Sequence, residues 1–152
     1  MNGLAERLKP PEVVSFPGSH LGLRWRPLIP SDLGAVADLI REVEKEDDAI
    51  FRTSSQEIAD LALGHLKASP LEVIVGIAQD HGIVALGSVK VLTGVTEAAV
   101  AIVNAVIHPL WRGRGVGRSL LHWQDGRARQ MLVEYFGAES TLQASIANWV
   151  DG

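Results

Sequence analysis

The sequence predicts an α+β domain in which helices flank a mostly antiparallel sheet. Three observations support this fold class. Apolar residues recur at helical spacing in the first half of the chain, Val- and Ile-rich runs separated by turn residues fill the middle, and a long helical pattern follows them. Strands joined by short turns pair antiparallel, so the middle of the chain predicts a meander rather than a parallel sheet.

The length and composition are those of one ordinary globular domain. The chain has 152 residues, of which 47% are hydrophobic, and a formal net charge of -4. This balance gives no general attraction to nucleic acids or anionic membranes, and no apolar run approaches the ~20 residues that span a bilayer. Neither nucleic acid nor membrane is therefore predicted as a partner.

The absence of cysteine narrows the possible chemistry. It excludes a disulfide framework, a thiolate zinc site and a cysteine nucleophile, and it fits a cytoplasmic protein. The histidines are scattered along the chain without the spacing of metal ligands. No metal site is therefore predicted.

The first third of the chain predicts a leader, a strand and a helix. Residues 1–20 contain several prolines and little periodicity, so a flexible leader is expected before a domain over residues 21–152. Residues 22–26 alternate between apolar and charged side chains, as in a strand. Ser31 is the predicted N-cap of a helix over residues 32–44, where apolar residues recur at helical spacing.

The rest of the chain predicts a second helix, three strands, a long helix and a final strand. A capping-box spacing opens the second helix, and a turn signal between two Val- and Ile-rich runs predicts a hairpin. The predicted order of elements is therefore β-α-α-β-β-β-α-β. The predicted ranges are 54–66 for the second helix, 71–79, 83–92 and 98–107 for the strands, 116–136 for the long helix and 140–146 for the last strand.

The glycine-rich turn before the long helix carries the clearest functional signal. Its alternating glycines can adopt backbone conformations closed to other residues, and N–H groups at a helix N-terminus attract anions. Its arginines add charge-assisted contacts, so a diphosphate is the predicted ligand. The predicted binding residues are Arg112, Gly113, Arg114, Gly115, Val116, Gly117 and Arg118.

Two better-known phosphate motifs do not fit this turn. A P-loop requires Gly-Lys-Ser/Thr, which is absent. A dinucleotide fingerprint requires a glycine where Arg118 stands, and it follows the first strand of a parallel sheet, whereas this turn follows an antiparallel meander.

The segment Arg112-x-x-Gly115-x-Gly117 resembles the Arg/Gln-x-x-Gly-x-Gly/Ala signature of the GNAT N-acetyltransferase superfamily. The predicted element order is similar to that fold over residues 22–150, and the motif is specific over residues 104–123. The beginning of the chain also resembles the first half of two-domain acetyltransferases of the mycothiol-synthase type. The resemblance implies a mixed, mostly antiparallel sheet, acetyl-CoA as cofactor, and direct transfer of the acetyl group to a primary amine.

The resemblance also implies roles for individual residues. The main chain of Val106 and Ile107 would pair with the pantetheine arm as an added strand, and Asn148 would contact the cofactor. Many members of the superfamily carry a glutamate base where this chain has Ala101, so that base is missing.

Other residues are expected to handle the proton and the amine. Asn104 could position a water, and Glu44 could accept the proton through one. Asp47 and Asp48 are the predicted substrate-binding residues, because acidic side chains attract a cationic amine. Small-molecule and peptide amines both qualify as substrates.

The resemblance leaves three alternatives open. In the superfamily, the last predicted strand is followed by a helix and two further strands, and that helix often carries a tyrosine that protonates the leaving thiolate. The sequence given ends at Gly152, so these elements are expected to be missing. The domain could then be a catalytically silent acyl-CoA-binding domain, or an assembly module whose open sheet edge pairs with a second copy in a homodimer. Transfer of a longer acyl group is the third alternative.

Overall fold

The computed structural model describes residues 2–18, 22–47, 70–93 and 97–148 of the chain. Within these ranges the protein is an α+β domain, and the predicted fold class is confirmed. The predicted helix over residues 54–66 lies outside the described residues. The elements are α1 (Leu4–Leu8), β1 (Leu23–Pro27), α2 (Leu33–Asp47), β2 (Leu71–Ala78), β3 (Gly82–Val91), β4 (Ala98–Ile107), α3 (Val116–Phe136) and β5 (Gln143–Asn148).

The strands form one mixed sheet in the order β1-β2-β3-β4-β5. Neighbours from β1 to β4 pair antiparallel, whereas β5 pairs parallel with β4 because α3 returns the chain to the other end of the sheet. The parallel register ends at Val103, which is opposite Asn148. Beyond that point residues 104–107 pair with β3, and no described residue pairs with their other edge. Among the described residues, the edge of residues 104–107 that faces away from β3 is therefore unpaired.

The two long helices cover opposite faces of the sheet. Ile74 packs in the core cluster under α3, whereas its neighbours Val73 and Val75 pack in the cluster under α2. Because successive side chains of a strand point to opposite faces, this division places α2 and α3 on different sides. Among the described residues, no helix combines the length and apolarity of a bilayer span.

The entry to α2 is held by an ion pair rather than by the predicted N-cap, Ser31. A short 3-10 turn, Pro30–Asp32, precedes the helix. The buried carboxylate of Asp32 accepts a hydrogen bond from the N–H of Ile29 at 2.9 Å and two from the guanidinium of Arg26, both at 2.7 Å. The N-cap prediction was wrong because Asp32 satisfies the same turn and also fixes it to β1.

The described part of the leader, residues 2–18, contacts the domain. Residues 2–18 include α1, and the side chain of Leu4 is fully buried in the core under α3. Gln130 on α3 donates to the carbonyl of Pro11 at 2.8 Å, and the leader crosses α3 at Gly126. A side chain at that position would approach Val14 and Pro11 to within 3.4 Å, so this glycine lets the two segments come close.

Candidate functional site

The loop from β4 to α3 takes the conformation that its glycines were expected to allow. The chain leaves β4 at Ile107, makes a short 3-10 turn over Pro109–Trp111, and enters α3 at Val116. Gly113 has φ 75° and Gly115 has φ 86°, both in the left-handed region. That conformation costs a residue with a side chain about 1–2 kcal/mol. No atom lies within 4 Å of an added Cβ at either glycine, so the loop is open on that side.

The loop presents a run of main-chain donors at the start of α3. The N–H of Arg112 donates to the carbonyl of Pro109 at 3.3 Å, and the N–H of Ser119 donates to that of Gly115 at 3.1 Å. Between them, the N–H groups of residues 113–118 donate to no acceptor in the part of the chain that the structure describes. Such a run, at the positive end of a helix dipole, is suited to bind a diphosphate.

Two arginines of the loop leave their charge available to an anion. Arg114 and Arg118 are exposed, and neither forms an ion pair within the described ranges. The guanidinium of Arg114 lies 5.7 Å above the Trp111 ring, a contact that limits its freedom. Later in α3, by contrast, Arg127 and Arg129 are paired with Glu72 and Asp125.

Arg112, the first residue of the motif, holds the loop closed. Its Nε donates to the carbonyl of Ile107 at 3.3 Å, which ties the end of β4 to the start of the glycine-rich turn. The side chain of Ile107 also packs against the first turn of α3. A Cβ added at Gly117 would lie 3.2 Å from the Cδ1 of Ile107. That glycine is needed for close contact between helix and strand.

A buried histidine supports the same loop from below. The Nδ1 of His108 accepts from the N–H of Leu110 at 3.1 Å, and its main-chain N–H donates to Val84 at 2.8 Å. The His108 ring is packed edge-on against His81 and Trp111, with ring centroids 4.9 and 5.3 Å away. Burial lowers the pKa of His108, and the nearby His81 and Arg112 lower it further, against an opposing contribution from Glu42. A neutral ring with its proton on Nε2 fits this arrangement.

The end of β4 lies directly before this loop. Val106 and Ile107 lie on the stretch of β4 that has no described partner on the side of β5. Asn148 is the last described residue of β5 and pairs with Val103, and the structure does not describe its side chain. The structure therefore places the backbone of these predicted cofactor-binding residues at the same end of the sheet as the glycine-rich loop.

The predicted catalytic and substrate residues are placed only in part. Asn104 is exposed and lies on the same face of β4 as Val106, which packs toward α2. Glu44 belongs to α2, on that side of the sheet, and is partly buried. Asp47 ends α2 without a described side chain, and Asp48 lies outside the described residues.

Sequence reasoning missed one residue that supports the site, Gln124. It lies on the inner face of α3 with 1% of its surface exposed. Its Nε2 donates to the carbonyls of Asn104 at 2.8 Å and Ser88 at 3.0 Å. The only signal in the sequence is a polar residue beside Trp123 on an otherwise apolar helix face, and that pattern names no partner.

Solved acetyltransferase structures share this architecture. A GCN5-related N-acetyltransferase from Sphaerobacter thermophilus superposes with a TM-score of 0.61 and 23% sequence identity, over 87% of this chain and 39% of that one. The chain has the GNAT fold. This chain spans well under half the length of the Sphaerobacter protein.

Two further GNAT-fold enzymes superpose over most of their own length. An aminoglycoside acetyltransferase from an uncultured soil metagenomic sample, solved with sisomicin, has a TM-score of 0.54 and 18% identity over 88% of this chain and 81% of that one. The paia N-acetyltransferase of Thermoplasma acidophilum, solved with coenzyme A, has a TM-score of 0.53 and 13% identity over 74% of this chain and 73% of that one. Neither a protein-family model nor a curated protein sequence matches the chain.

Proposed function

We propose that this GNAT-fold domain binds acetyl-CoA and transfers its acetyl group directly to a primary amine. The observation that carries the proposal is the run of main-chain N–H groups over residues 113–118, which have no described acceptor and lie where the chain leaves β4 and enters α3. A diphosphate fits that run, and an extended arm fits beside the open edge of residues 104–107. The complex of the Thermoplasma enzyme with coenzyme A supports the choice of ligand.

The residues of the site divide into a binding set and a proton-handling set. Acetyl-CoA, when bound, supplies an acetyl group activated as a thioester. The loop over residues 112–118 holds the diphosphate, the main chain of Val106 and Ile107 holds the pantetheine arm, and Asn148 contacts the cofactor. These contacts fix the acetyl group between the two strands, so that the amine meets it in a reactive geometry.

Transfer forms a bond between the amine nitrogen and the acetyl carbon and breaks the carbon–sulfur bond. The amine must lose a proton, and the departing thiolate must gain one. Asn104 holds a water on the α2 side, Glu44 accepts the proton through that water, and Asp47 and Asp48 attract the cationic form of the amine. The aminoglycoside acetyltransferase of the same fold, solved with sisomicin, supports a polyamine-like substrate class.

A silent acyl-CoA-binding domain is the second candidate. It is favoured by Ala101, which stands where many members of the superfamily carry a glutamate base and whose side chain is fully buried under α3. No water or base can be held at that position. If the domain is an enzyme, proton transfer depends on Glu44 and Asn104 alone.

Calorimetry with coenzyme A and with pantetheine tests the binding step. Arg114→Glu reverses an exposed charge beside the free N–H groups, so it is expected to weaken coenzyme A about tenfold or more and to leave pantetheine unchanged. The matched control is Arg41→Glu, an exposed arginine on α2. Equal affinity of wild type and Arg114→Glu for coenzyme A would place the diphosphate elsewhere.

A thiol-release assay separates an enzyme from a silent domain. Acetyl-CoA is supplied with a panel of polyamines, aminoglycosides, peptide N-termini and lysine derivatives. Amine-dependent release of free thiol, reduced in Glu44→Gln, is expected of the enzyme. Tight binding of acetyl-CoA without release on any amine would support the silent domain.

A further inference from the structure

A groove of about 900 Å³ runs between the leader and the outer side of α3. Its volume lies in the range of small-molecule sites. One wall is the leader from Arg7 to Gly18, and the other is the first half of α3 from Arg118 to Arg129. The leader therefore does more than cover the core, because it encloses space beside the long helix.

The groove is positively charged although the protein is acidic overall. Arg7, Lys9, Arg118 and Arg129 line it, against the single acidic lining residue Asp125 among the described residues. Arg7 and Arg129 already donate to main-chain carbonyls, and Arg129 is paired with Asp125. Lys9 and Arg118 have no hydrogen bond or ion pair from their side chains within the described ranges. Two cations are thus available to an anionic ligand.

The groove also offers an aromatic surface. Phe16 is 43% exposed, and its ring centroid lies 6.0 Å from that of the buried Trp123 ring. Phe16 therefore contacts Trp123 and keeps part of its surface accessible. An accessible ring beside cations is the combination that holds a nucleotide, since the base can stack while the phosphate is neutralised.

The groove and the glycine-rich loop are continuous. Arg118 contributes its main-chain N–H to the run over residues 113–118 and also lines the groove, as does the next residue, Ser119. One ligand with a diphosphate on the loop can therefore extend directly into the groove. Coenzyme A has this form, because its diphosphate carries a 3′-phosphorylated adenosine on one side and the pantetheine arm on the other.

We propose that the leader forms one wall of the subsite for the 3′-phosphoadenosine end of coenzyme A, with Lys9 and Arg118 beside the 3′-phosphate and Phe16 beside the base. The inference rests on the proposed function, which places the diphosphate on the loop. It adds that an N-terminal segment of this chain, rather than the core fold alone, sets the affinity for the nucleotide end.

Titration calorimetry with a series of ligands tests the subsite. Coenzyme A has both the base and the 3′-phosphate, dephospho-coenzyme A lacks the 3′-phosphate, and 4′-phosphopantetheine lacks the nucleotide. Lys9→Glu is expected to weaken coenzyme A about tenfold, to remove its advantage over dephospho-coenzyme A, and to leave 4′-phosphopantetheine unchanged. Phe16→Ala is expected to weaken both nucleotide-containing ligands by a similar factor.

A charge control and a third test variant keep the result specific. Lys90→Glu makes the same charge change at an exposed position of β3 that does not line the groove. Gly126→Leu pushes against Val14 and Pro11 where the leader crosses α3, so it is expected to weaken coenzyme A while α3 itself is kept. If Lys9→Glu, Phe16→Ala and Gly126→Leu all bind coenzyme A as wild type does, the leader is not part of the site.

Failure of the subsite can be told apart from failure of the proposed function. Unchanged binding by the leader variants, with coenzyme A still sensitive to Arg114→Glu, overturns the subsite and keeps the loop. If wild type binds no member of the series, the proposed function falls, and adenosine 3′,5′-bisphosphate then decides the groove. Binding of that nucleotide that is lost in Lys9→Glu supports the groove, and absence of binding overturns it as well.

Discussion

The side-chain amide of Gln124 donates to the main-chain carbonyl of Asn104 over 2.8 Å, from the buried face of α3 to the middle of β4. Asn104 is the first residue of β4 beyond Val103, where pairing with β5 ends. The same amide nitrogen also donates to Ser88 on β3. The helix that follows the glycine-rich loop is therefore fixed to the sheet next to the last described pair between β4 and β5.

Gln124→Met is expected to destabilise the fold. Methionine keeps the length of the side chain but cannot donate, so two buried carbonyls lose a partner that water cannot replace. The expected loss in the free energy of unfolding is about 1–3 kcal/mol. Urea denaturation followed by circular dichroism measures it.

The matched control for that change is Gln130→Met on the same helix. Gln130 also donates to main-chain carbonyls, those of Pro11 and Glu12, but in an exposed setting. Its loss is expected to change the free energy of unfolding by about 0.5 kcal/mol or less. Equal effects of the two substitutions would show that burial of the Gln124 amide contributes nothing.

Gly115→Ala is expected to affect ligand binding more than stability. The left-handed backbone at φ 86° costs alanine about 1–2 kcal/mol. The backbone of the loop is expected to rotate to relieve this strain, and its N–H groups then no longer point at one common ligand. The affinity for coenzyme A should therefore fall by about tenfold or more. Calorimetry with coenzyme A and thermal unfolding of the free protein give the two values.

Gly82→Ala is the control for strain alone. Gly82 has φ 80°, and an added Cβ there also meets nothing within 4 Å, but it is the first residue of β3, directly after the turn from β2. A similar loss of stability with unchanged affinity for coenzyme A is expected. If both variants lose affinity equally, the effect of Gly115→Ala is one of general stability.

Much of the fold could be predicted because its signals are local. The hairpin from β2 to β3 is marked by two apolar runs around a turn, and the start of α3 is marked by its glycines. The loop over residues 112–118 is continuous in sequence, so the donors that it presents could be predicted together.

The remaining features depend on contacts between distant parts of the chain. The bonds from Gln124 reach 36 residues back to Ser88, and no spacing rule connects the two. The helix of the leader has five residues, which is too short for a helical pattern of apolar residues to be recognised in the sequence. Leu4 of this helix is buried in the core and holds the leader in place. Gly126, an unfavourable residue inside a helix, lies where the leader crosses α3, and its local sequence does not indicate that contact.

Asp32→Asn is expected to lower stability at neutral pH and to matter less in acid. Hydrogen bonds from Arg26 and from the N–H of Ile29 hold the pKa of Asp32 below its ordinary value of 3.8, against the effect of burial. The ionised carboxylate therefore stabilises the folded state fully above that pH, and its contribution is lost as the pH falls through the folded pKa. The loss at pH 7 is expected to be about 1.5–3 kcal/mol.

Urea denaturation from pH 7 to pH 3 checks this prediction. The exposed Asp38, which pairs with Arg41, supplies the control Asp38→Asn, with an expected effect of about 0.5 kcal/mol or less. The difference between wild type and Asp32→Asn should shrink below about pH 4. A difference that stays constant to pH 3 would mean that the charge of Asp32 does not stabilise the turn.

His108 is expected to make the loop sensitive to mild acid. Burial lowers the pKa of His108 in the folded protein below its ordinary 6.5. At a pH between the folded pKa and 6.5, the unfolded chain binds a proton that the folded chain does not. Stability from the neutral ring is complete above pH 6.5 and is lost as the pH falls through the folded pKa, with a slope of at most about 1.4 kcal/mol per pH unit for one proton. Protonation also removes the acceptor that Nδ1 offers to Leu110.

His108→Asn keeps an acceptor near the position of Nδ1 but cannot titrate, so its stability should fall less than that of wild type between pH 7.5 and pH 5. Because Leu110 precedes the glycine-rich loop by only a few residues, the affinity for coenzyme A should fall with pH in wild type more steeply than in His108→Asn. Parallel stability curves for the two proteins would show that the pKa of His108 is the same in the folded and the unfolded chain. Parallel affinity curves would show that protonation of His108 does not change the loop.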